Sequence, residues 1–361
     1  AYWGIRGNYR NMPTDCPQRD ERHGWMGDRT TGCWGESFIF ENCLLYRKWL
    51  QDIECSQGDN GCISVVSPQY WYERADDITW SGAYIFAAEM MYRHFGDKSG
   101  IVKHYPSMKR WAELIIRQYV QDGVVIRDCF GDWCLPPESL ELIFSNDPTR
   151  KPDGRILSTS VFWHILHLMA DFAQLAGHPA DTEGYLSCAA SLKEGLNRHL
   201  FNYETAQYGN NAVTGNLLPL YYGLVPEGYE QRVLDSIVEK TEVERDGHVS
   251  TGVVGIQYLM RCLTKYGRQD LAYKLATQET YPSWGGATTI WELWNGDTAA
   301  PDMNSANHVM LIGDLVIWYY ENLAGIKNAE GSTGFRHIEM KPCFPDGLGR
   351  VSATYHSVSG I

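Results

Sequence analysis

No run of apolar residues in the sequence approaches the ~20 that a membrane-spanning helix needs, so a membrane is not expected as a partner. Gly-x-x-x-x-Gly-Lys phosphate loops, Gly-x-Ser-x-Gly nucleophile elbows and His-Glu-x-x-His metal helices are all missing, which removes P-loop, serine-hydrolase and zinc-protease chemistry. The ten cysteines include no Cys-x-x-Cys pair, and no convincing metal spacing occurs; neither a metal nor a cofactor is expected. Positive charge is short: 31 Lys and Arg face 44 Asp and Glu, a formal net charge of -13. An acidic surface repels phosphate backbones and anionic lipid, so nucleic acid is not expected as a partner, whereas a neutral substrate is compatible. A signal-peptide pattern and an initiator Met are also missing. The chain opens on Ala1-Tyr2-Trp3-Gly4, and the expectation is a piece of a longer polypeptide with neighbouring β-domains.

What is present is globular. Hydrophobic residues make up 44% of 361 and charged ones 21%, enough to bury a large core without disulfide or metal staples. Cys16, Cys33, Cys43, Cys129, Cys188 and Cys262 sit in or beside apolar stretches, where reduced, partly buried thiols are expected. The thiols leave the compartment open; a periplasmic or extracellular one is favoured over the cytoplasm.

Apolar residues at three- and four-residue spacing predict helices over 36–50, 82–94, 103–121, 157–175, 185–200, 211–222, 229–239, 252–266, 269–278 and 304–322. Antiparallel pairs joined by short turns, such as Gly177-His178-Pro179, fit a closed barrel of helical hairpins. Between them run long irregular segments at 9–34, 53–79, 122–155 and 281–303, and loops of that length are uncommon unless functional. In an α/α barrel such loops gather at one end. After Gly325 the pattern changes: Phe335, Ile338 and Met340, then Val351, Ala353 and Tyr355, suggest short strands. The expected division is a barrel over 1–330 and the beginning of a C-terminal all-β domain over 331–361.

Asp15-Cys16-Pro17-Gln18-Arg19-Asp20-Glu21-Arg22-His23-Gly24-Trp25-Met26-Gly27-Asp28 is the densest segment, with carboxylates, arginines and a Trp in a stretch whose Pro and Gly residues prevent a regular helix. Arginines hold neighbouring carboxylates charged and oriented, while desolvation by Trp raises a carboxyl pKa. One loop could thus carry ionised binders and one protonated acid; a salt-bridge knot that only ties the loop down would use the same residues. Trp284-Gly285-Gly286-Ala287-Thr288-Thr289-Ile290-Trp291-Glu292-Leu293-Trp294 holds a single carboxylate bracketed by Trp. Such a Glu either sits on a stacking surface for a sugar or neutralises a nearby Arg. Gly131-Asp132-Trp133, Ile78-Thr79-Trp80 and Met303-Asn304-Ser305-Ala306-Asn307-His308 complete the set. Carboxylates and tryptophans spread over several long loops are the inventory of glycoside hydrolysis: one carboxyl as acid, a second as base or nucleophile, and rings to stack on.

The Asp15–Arg22 run, with Gly24-Trp25 and Gly27-Asp28, resembles the signature loop of glycoside hydrolase family 78, the α-L-rhamnosidases. Ala287-Thr288-Thr289-Ile290-Trp291-Glu292 resembles that family's second active-site segment, and Gly131-Asp132-Trp133 and Met303–His308 match in order. The resemblance covers nearly the whole chain. It implies an (α/α)6 barrel, an all-α fold, and an inverting mechanism on terminal α-L-rhamnose. It makes Glu21 the general acid and Glu292 the general base. It assigns Asp15, Arg19 and Asp28 to rhamnose hydroxyls, Trp25, Trp80 and Trp133 to the pocket walls, and His308 to a hydroxyl, with Asp132 and Trp291 as further substrate contacts. After Trp80 the family usually has Gly-Asp, where this chain has Ser81-Gly82; after Glu292 it often has Arg-Trp-Asp, where this chain has Leu293-Trp294-Asn295. Both departures bear on sugar preference. The alternatives are a related α/α-barrel glycosidase for another sugar, or a carbohydrate-binding homologue without catalysis.

Overall fold

The computed structural model describes residues 1–30, 32–70, 76–136, 147–285, 289–294 and 305–360. Residues 286–288 and 295–304 of the sequence motifs, Met303 and Asn304 among them, lie outside the described residues. The helices are α1 (Tyr2–Asn8), α2 (Gly32–Glu36), α3 (Cys43–Cys55), α4 (Ala83–Phe95), α5 (Ser99–Tyr119), α6 (Gly154–Leu175), α7 (Thr182–Leu200), α8 (Val213–Tyr222), α9 (Glu230–Val238), α10 (Leu259–Lys265), α11 (Gln269–Ala276) and α12 (Leu315–Trp318).

Alternate helices form the inner wall. Among the described residues α2 packs on α4, α4 on α6, α6 on α8, α8 on α10, α10 on α12, and α12 returns to α2, which closes a ring. The outer helices α3, α5, α7, α9 and α11 lean on this ring. The chain therefore alternates outer and inner, and the two kinds of connection differ. Outer-to-inner links are long, at 9–31, 56–82, 120–153, 201–212, 239–258 and 277–314. Inner-to-outer links are short, at 37–42, 96–98, 176–181, 223–229 and 266–268. All long links thus lie at one end of the barrel, where the inner helices begin. At the other end Gly96 (φ 67) and Gly223 (φ 71) end α4 and α8 in the left-handed conformation that a Cβ disfavours.

Inner helices are apolar on most of their surface and outer ones on a stripe. Helix α6 shows this: Leu157, Val161, Phe162, Ile165, Leu166 and Met169 are all buried. It corrects one expectation, because Gly154–Leu175 is long and apolar enough to cross a membrane by length and composition. It is a core helix here, with 78% of its most apolar window buried in the barrel.

Where the helical pattern misled, tertiary contacts explain it. The stretch 36–50 breaks after Glu36 because that buried carboxylate is claimed from outside the helix. Its Oε2 accepts from the Tyr9 and Tyr46 hydroxyls at 2.7 and 2.6 Å, and its Oε1 faces the buried Arg29 Nε at 3.3 Å. Of the expected helix 304–322, the described residues form a 3-10 turn (Met310–Ile312), then α12, then a π turn (Tyr319–Leu323). Two small hairpins went unread, β1 (Val120–Gln121) with β2 (Val124–Val125) and β3 (Phe201–Asn202) with β4 (Gln207–Tyr208). Near the C-terminus β5 (Ile326–Asn328) pairs antiparallel with β6 (Ile338–Met340). Val351, Ala353 and Tyr355 form no strand; Tyr355 instead packs its ring on Phe38 and Phe335. Cys16, Cys33, Cys62, Cys134 and Cys262 are buried, while Cys129 is exposed.

Candidate active site

The first long link is fastened before it carries chemistry. Arg29, fully buried, donates from Nη2 to Thr14 O at 2.7 Å. Asp15 N–H bonds to His23 O, and His23 N–H returns to Asp15 Oδ1 at 2.8 Å, which closes 16–22 into a loop. Residues 24–26 then lie along 65–67, with Met26 N–H on Val65 O and Ser67 N–H on Gly24 O. At Gly24 a Cβ would run into Ser67 O, and at Gly27 into the Trp80 ring, so both close approaches require glycine.

Arg19 is the centre of the cluster. Its Nη1 and Nη2 bind Glu292 Oε2 and Oε1 at 2.5 and 3.1 Å, a two-pronged pair. Its Nε and Nη2 bind Glu21 Oε2 at 2.8 and 2.7 Å, and Nη2 lies 3.7 Å from Asp15 Oδ2. The other Glu21 oxygen accepts from the Trp25 indole at 2.5 Å. Residues 21 and 292, far apart in sequence, therefore meet on one guanidinium. Glu292 is held from behind as well: its N–H bonds to Ser305 O, and Ser305 N–H bonds to its Oε2, both at 2.9 Å. Gln18 Nε2 donates to Ser305 Oγ at 2.8 Å and ties this second segment to the first. The side chain of Glu292 is 6% exposed and that of Glu21 20%, so Glu21 lies nearer the mouth.

Behind the arginine sit Asp15, Asp28 and His308. His308 Nδ1 is 3.5 Å from Asp28 Oδ2 and Nε2 is 4.0 Å from Asp15 Oδ2. Burial, then the charges of Arg19 and Arg29, hold His308 down at about 3, so its ring is neutral. Burial, then the charge of Glu21, pushes Asp15 up to about 6 against the thiol of Cys16 and the His23 N–H. Burial, then Asp15, pushes Asp28 well above the usual carboxylate range. Asp15 Oδ2 and Asp28 Oδ2 are buried acceptors with no hydrogen bond, which suits them to ligand hydroxyls. Asp15, Cys16 and Glu21 bring ligand atoms within 4.8 Å of one another. That trio is a poor metal site: burial and the Asp15 charge raise the Cys16 thiol to about 12, and Arg19 already supplies the cation.

The walls are aromatic. Trp80 stacks on Phe130 at 4.6 Å, and Trp25 meets Phe130 edge-on at 6.0 Å. Phe130 and Gln18 were not singled out from sequence, although Phe130 directly precedes Gly131-Asp132-Trp133 and Gln18 stands inside the densest motif. Trp133 is half-buried, with Lys151 Nζ 5.9 Å from its ring.

One expected substrate contact is engaged within the protein. Asp132 is fully buried and spent: Oδ2 accepts from Thr214 Oγ1 at 2.5 Å and Gly252 N–H at 2.8 Å, and Oδ1 from the Val254 and Gly255 N–H groups at 2.8 and 3.0 Å. With four donors engaged it cannot bind a sugar, and it positions Trp133 instead. Trp291 lines a small crevice with Trp284, Trp294 and Leu311 in which Glu292 takes no part. At the first departure from the family pattern, Ser81 is buried and donates to Ile63 O at 3.0 Å.

A ring of helical hairpins with carboxylates gathered where the long links meet defines a six-hairpin glycosidase domain. The family model described as the bacterial alpha-L-rhamnosidase 6 hairpin glycosidase domain matches residues 1–323. The chain belongs to that family, within glycoside hydrolase family 78. It is similar to an alpha-L-rhamnosidase of Formosa agariphila, 31% identical over 99% of this chain and 39% of that protein. Among solved structures, the alpha-L-rhamnosidase of Dictyoglumus thermophilum superposes with a TM-score of 0.86 at 36% identity, over 94% of this chain and 38% of that one. The Streptomyces avermitilis alpha-L-rhamnosidase complexed with L-rhamnose superposes at 0.89 and 28% identity, over 99% and 34%. The chain thus spans well under half the length of these relatives.

Proposed function

We propose that this chain is the catalytic barrel of an inverting α-L-rhamnosidase, releasing terminal L-rhamnose from a glycan or plant glycoside. The observation that carries the reading is the convergence of Glu21 and Glu292 on Arg19, beside buried acceptors on Asp15 and Asp28 and the Trp25–Phe130–Trp80 wall. Glu21, nearer the mouth, protonates the glycosidic oxygen as the leaving group departs. Glu292, deeper and backed by Ser305, takes a proton from water attacking the anomeric carbon from the opposite face. Asp15, Asp28 and His308 hold the sugar hydroxyls, and the tryptophans exclude water.

One feature sets a requirement. Nη2 of Arg19 lies 2.7 Å from Glu21 Oε2 and 3.1 Å from Glu292 Oε1, so the guanidinium occupies the gap in which inversion needs room for its water. Entry of sugar and water therefore requires the guanidinium to shift from that gap. The test is hydrolysis of an aryl α-L-rhamnoside by the intact protein, followed by proton NMR. The first product is the β-anomer of rhamnose. Initial release of the α-anomer overturns inversion, and no turnover of any rhamnoside overturns the assignment.

The relatives' greater length, the end of the family match at 323 and the β5–β6 pair support a second, smaller proposal, that 331–361 opens an appended β-domain.

A further inference from the structure

A cleft of about 640 Å3 has none of the carboxylate cluster in its lining. Its size falls in the roughly 300–1,000 Å3 span of small-ligand sites. It lies at the long-link end of the barrel, because its lining comes from the links before α6, α8, α10 and α12 and from the first turn of α8. Two of its walls continue the site. Leu135 and Pro136 follow Trp133 on one side. On the other, Ser250 precedes Thr251, whose carbonyl accepts from the Trp294 indole at 2.9 Å, two residues beyond Glu292. Tyr281 borders both this cleft and the Trp291 crevice.

We propose that this cleft is the leaving-group subsite and that it accepts a saccharide. The inference rests on the rhamnosidase reading and names the class of glycoside that reading left open. Three observations favour sugar over a flat apolar aglycone. The lining mixes polar and apolar groups, with Thr149, Asn210 and Ser250 among the polar ones. The Ser250 hydroxyl is buried there without a hydrogen-bond partner, an unmet polar group of the kind a sugar hydroxyl satisfies. Tyr281, 36% exposed, is the aromatic residue in the lining, of the kind a sugar stacks against, where an extended aromatic aglycone would want several.

The experiment compares an aryl α-L-rhamnoside with rhamnosyl di- and trisaccharides in the intact protein. Wild type gains in kcat/KM as sugar units are added. Tyr281→Ala lowers kcat/KM for the saccharides about tenfold, mainly through KM, and changes the aryl substrate about twofold or less. Tyr281→Phe keeps the ring and restores the wild-type ratio, and Ser250→Ala shifts the ratio in the same direction as Tyr281→Ala. An enzyme that cleaves the aryl rhamnoside but gains nothing from added sugars overturns this inference alone. So does an equal loss on all substrates in Tyr281→Ala. Failure on every rhamnoside removes the underlying reading as well.

Discussion

The two ends of the barrel differ in which residues take the left-handed backbone conformation. At the short-link end, turns close on glycines in the left-handed region, and nothing within 4 Å would obstruct a Cβ at Gly223. At the long-link end glycines such as Gly61 and Gly209 also take that conformation, but so do residues with side chains: Arg22, Asp122, Cys134, Ala206, Asn211 and Asp246. Among the described residues the barrel has no other non-glycine positive φ. The long-link end also holds buried acceptors without partners, Asp15 Oδ2 and Asp28 Oδ2. One end minimises local strain; the other tolerates strain and unmet polarity where a ligand can use them.

That contrast can be broken most forcefully at the carboxylates. Glu21→Gln and Glu292→Gln each lower kcat on an aryl rhamnoside about 10²–10⁴-fold, with thermal melting close to wild type. A loss below tenfold in either would mean that the long-link end stores charge for structural reasons.

A middle-sized effect concerns Asp15. Its folded value near 6 lies above the ordinary 3.8, so the folded protein holds that proton more tightly than the unfolded chain. Its contribution to stability is then greatest below about 3.8 and declines as pH rises through about 6. Asp15→Asn removes this titration. Urea melts should therefore show the variant gaining on wild type across that interval, and a difference that stays constant with pH would contradict the burial argument.

The smallest effects test the backbone rule directly. Gly223→Ala costs roughly 1–2 kcal/mol of stability without altering turnover, since only the left-handed conformation is at stake. Arg22→Gly goes the other way, gaining on the order of 0.5–1 kcal/mol while slowing catalysis by loosening the loop that presents Glu21. Equal signs for the two substitutions would erase the distinction between the ends.

Much of this was legible in the sequence where local chemistry and tertiary role agree. The Asp15–Asp28 run announced a fixed, charged loop because Pro and Gly forbade a helix there, and the helix pair 157–175 and 185–200 is found within three residues at each boundary as α6 and α7. Legibility failed where a distant partner decides. Nothing near Glu36 in sequence says that Tyr9, Arg29 and Tyr46 will claim its carboxylate and end the helix. Asp132 beside Trp133 looked like a sugar contact, since its four donors come from residues 214 to 255. Phe130 carries no polar signal, so its place between two tryptophans appears only in three dimensions.

The bonds of Asp132 also bear on how the molecule assembles. Arrays of helical hairpins often fold unit by unit, each repeat leaning on the last. Here one carboxylate joins the link before α6, the start of α8 and the link before α10. A nascent chain released after α7 lacks every donor to it, so this part of the catalytic face forms cooperatively and late. Fragments cut between those hairpins would lose this tie between the links.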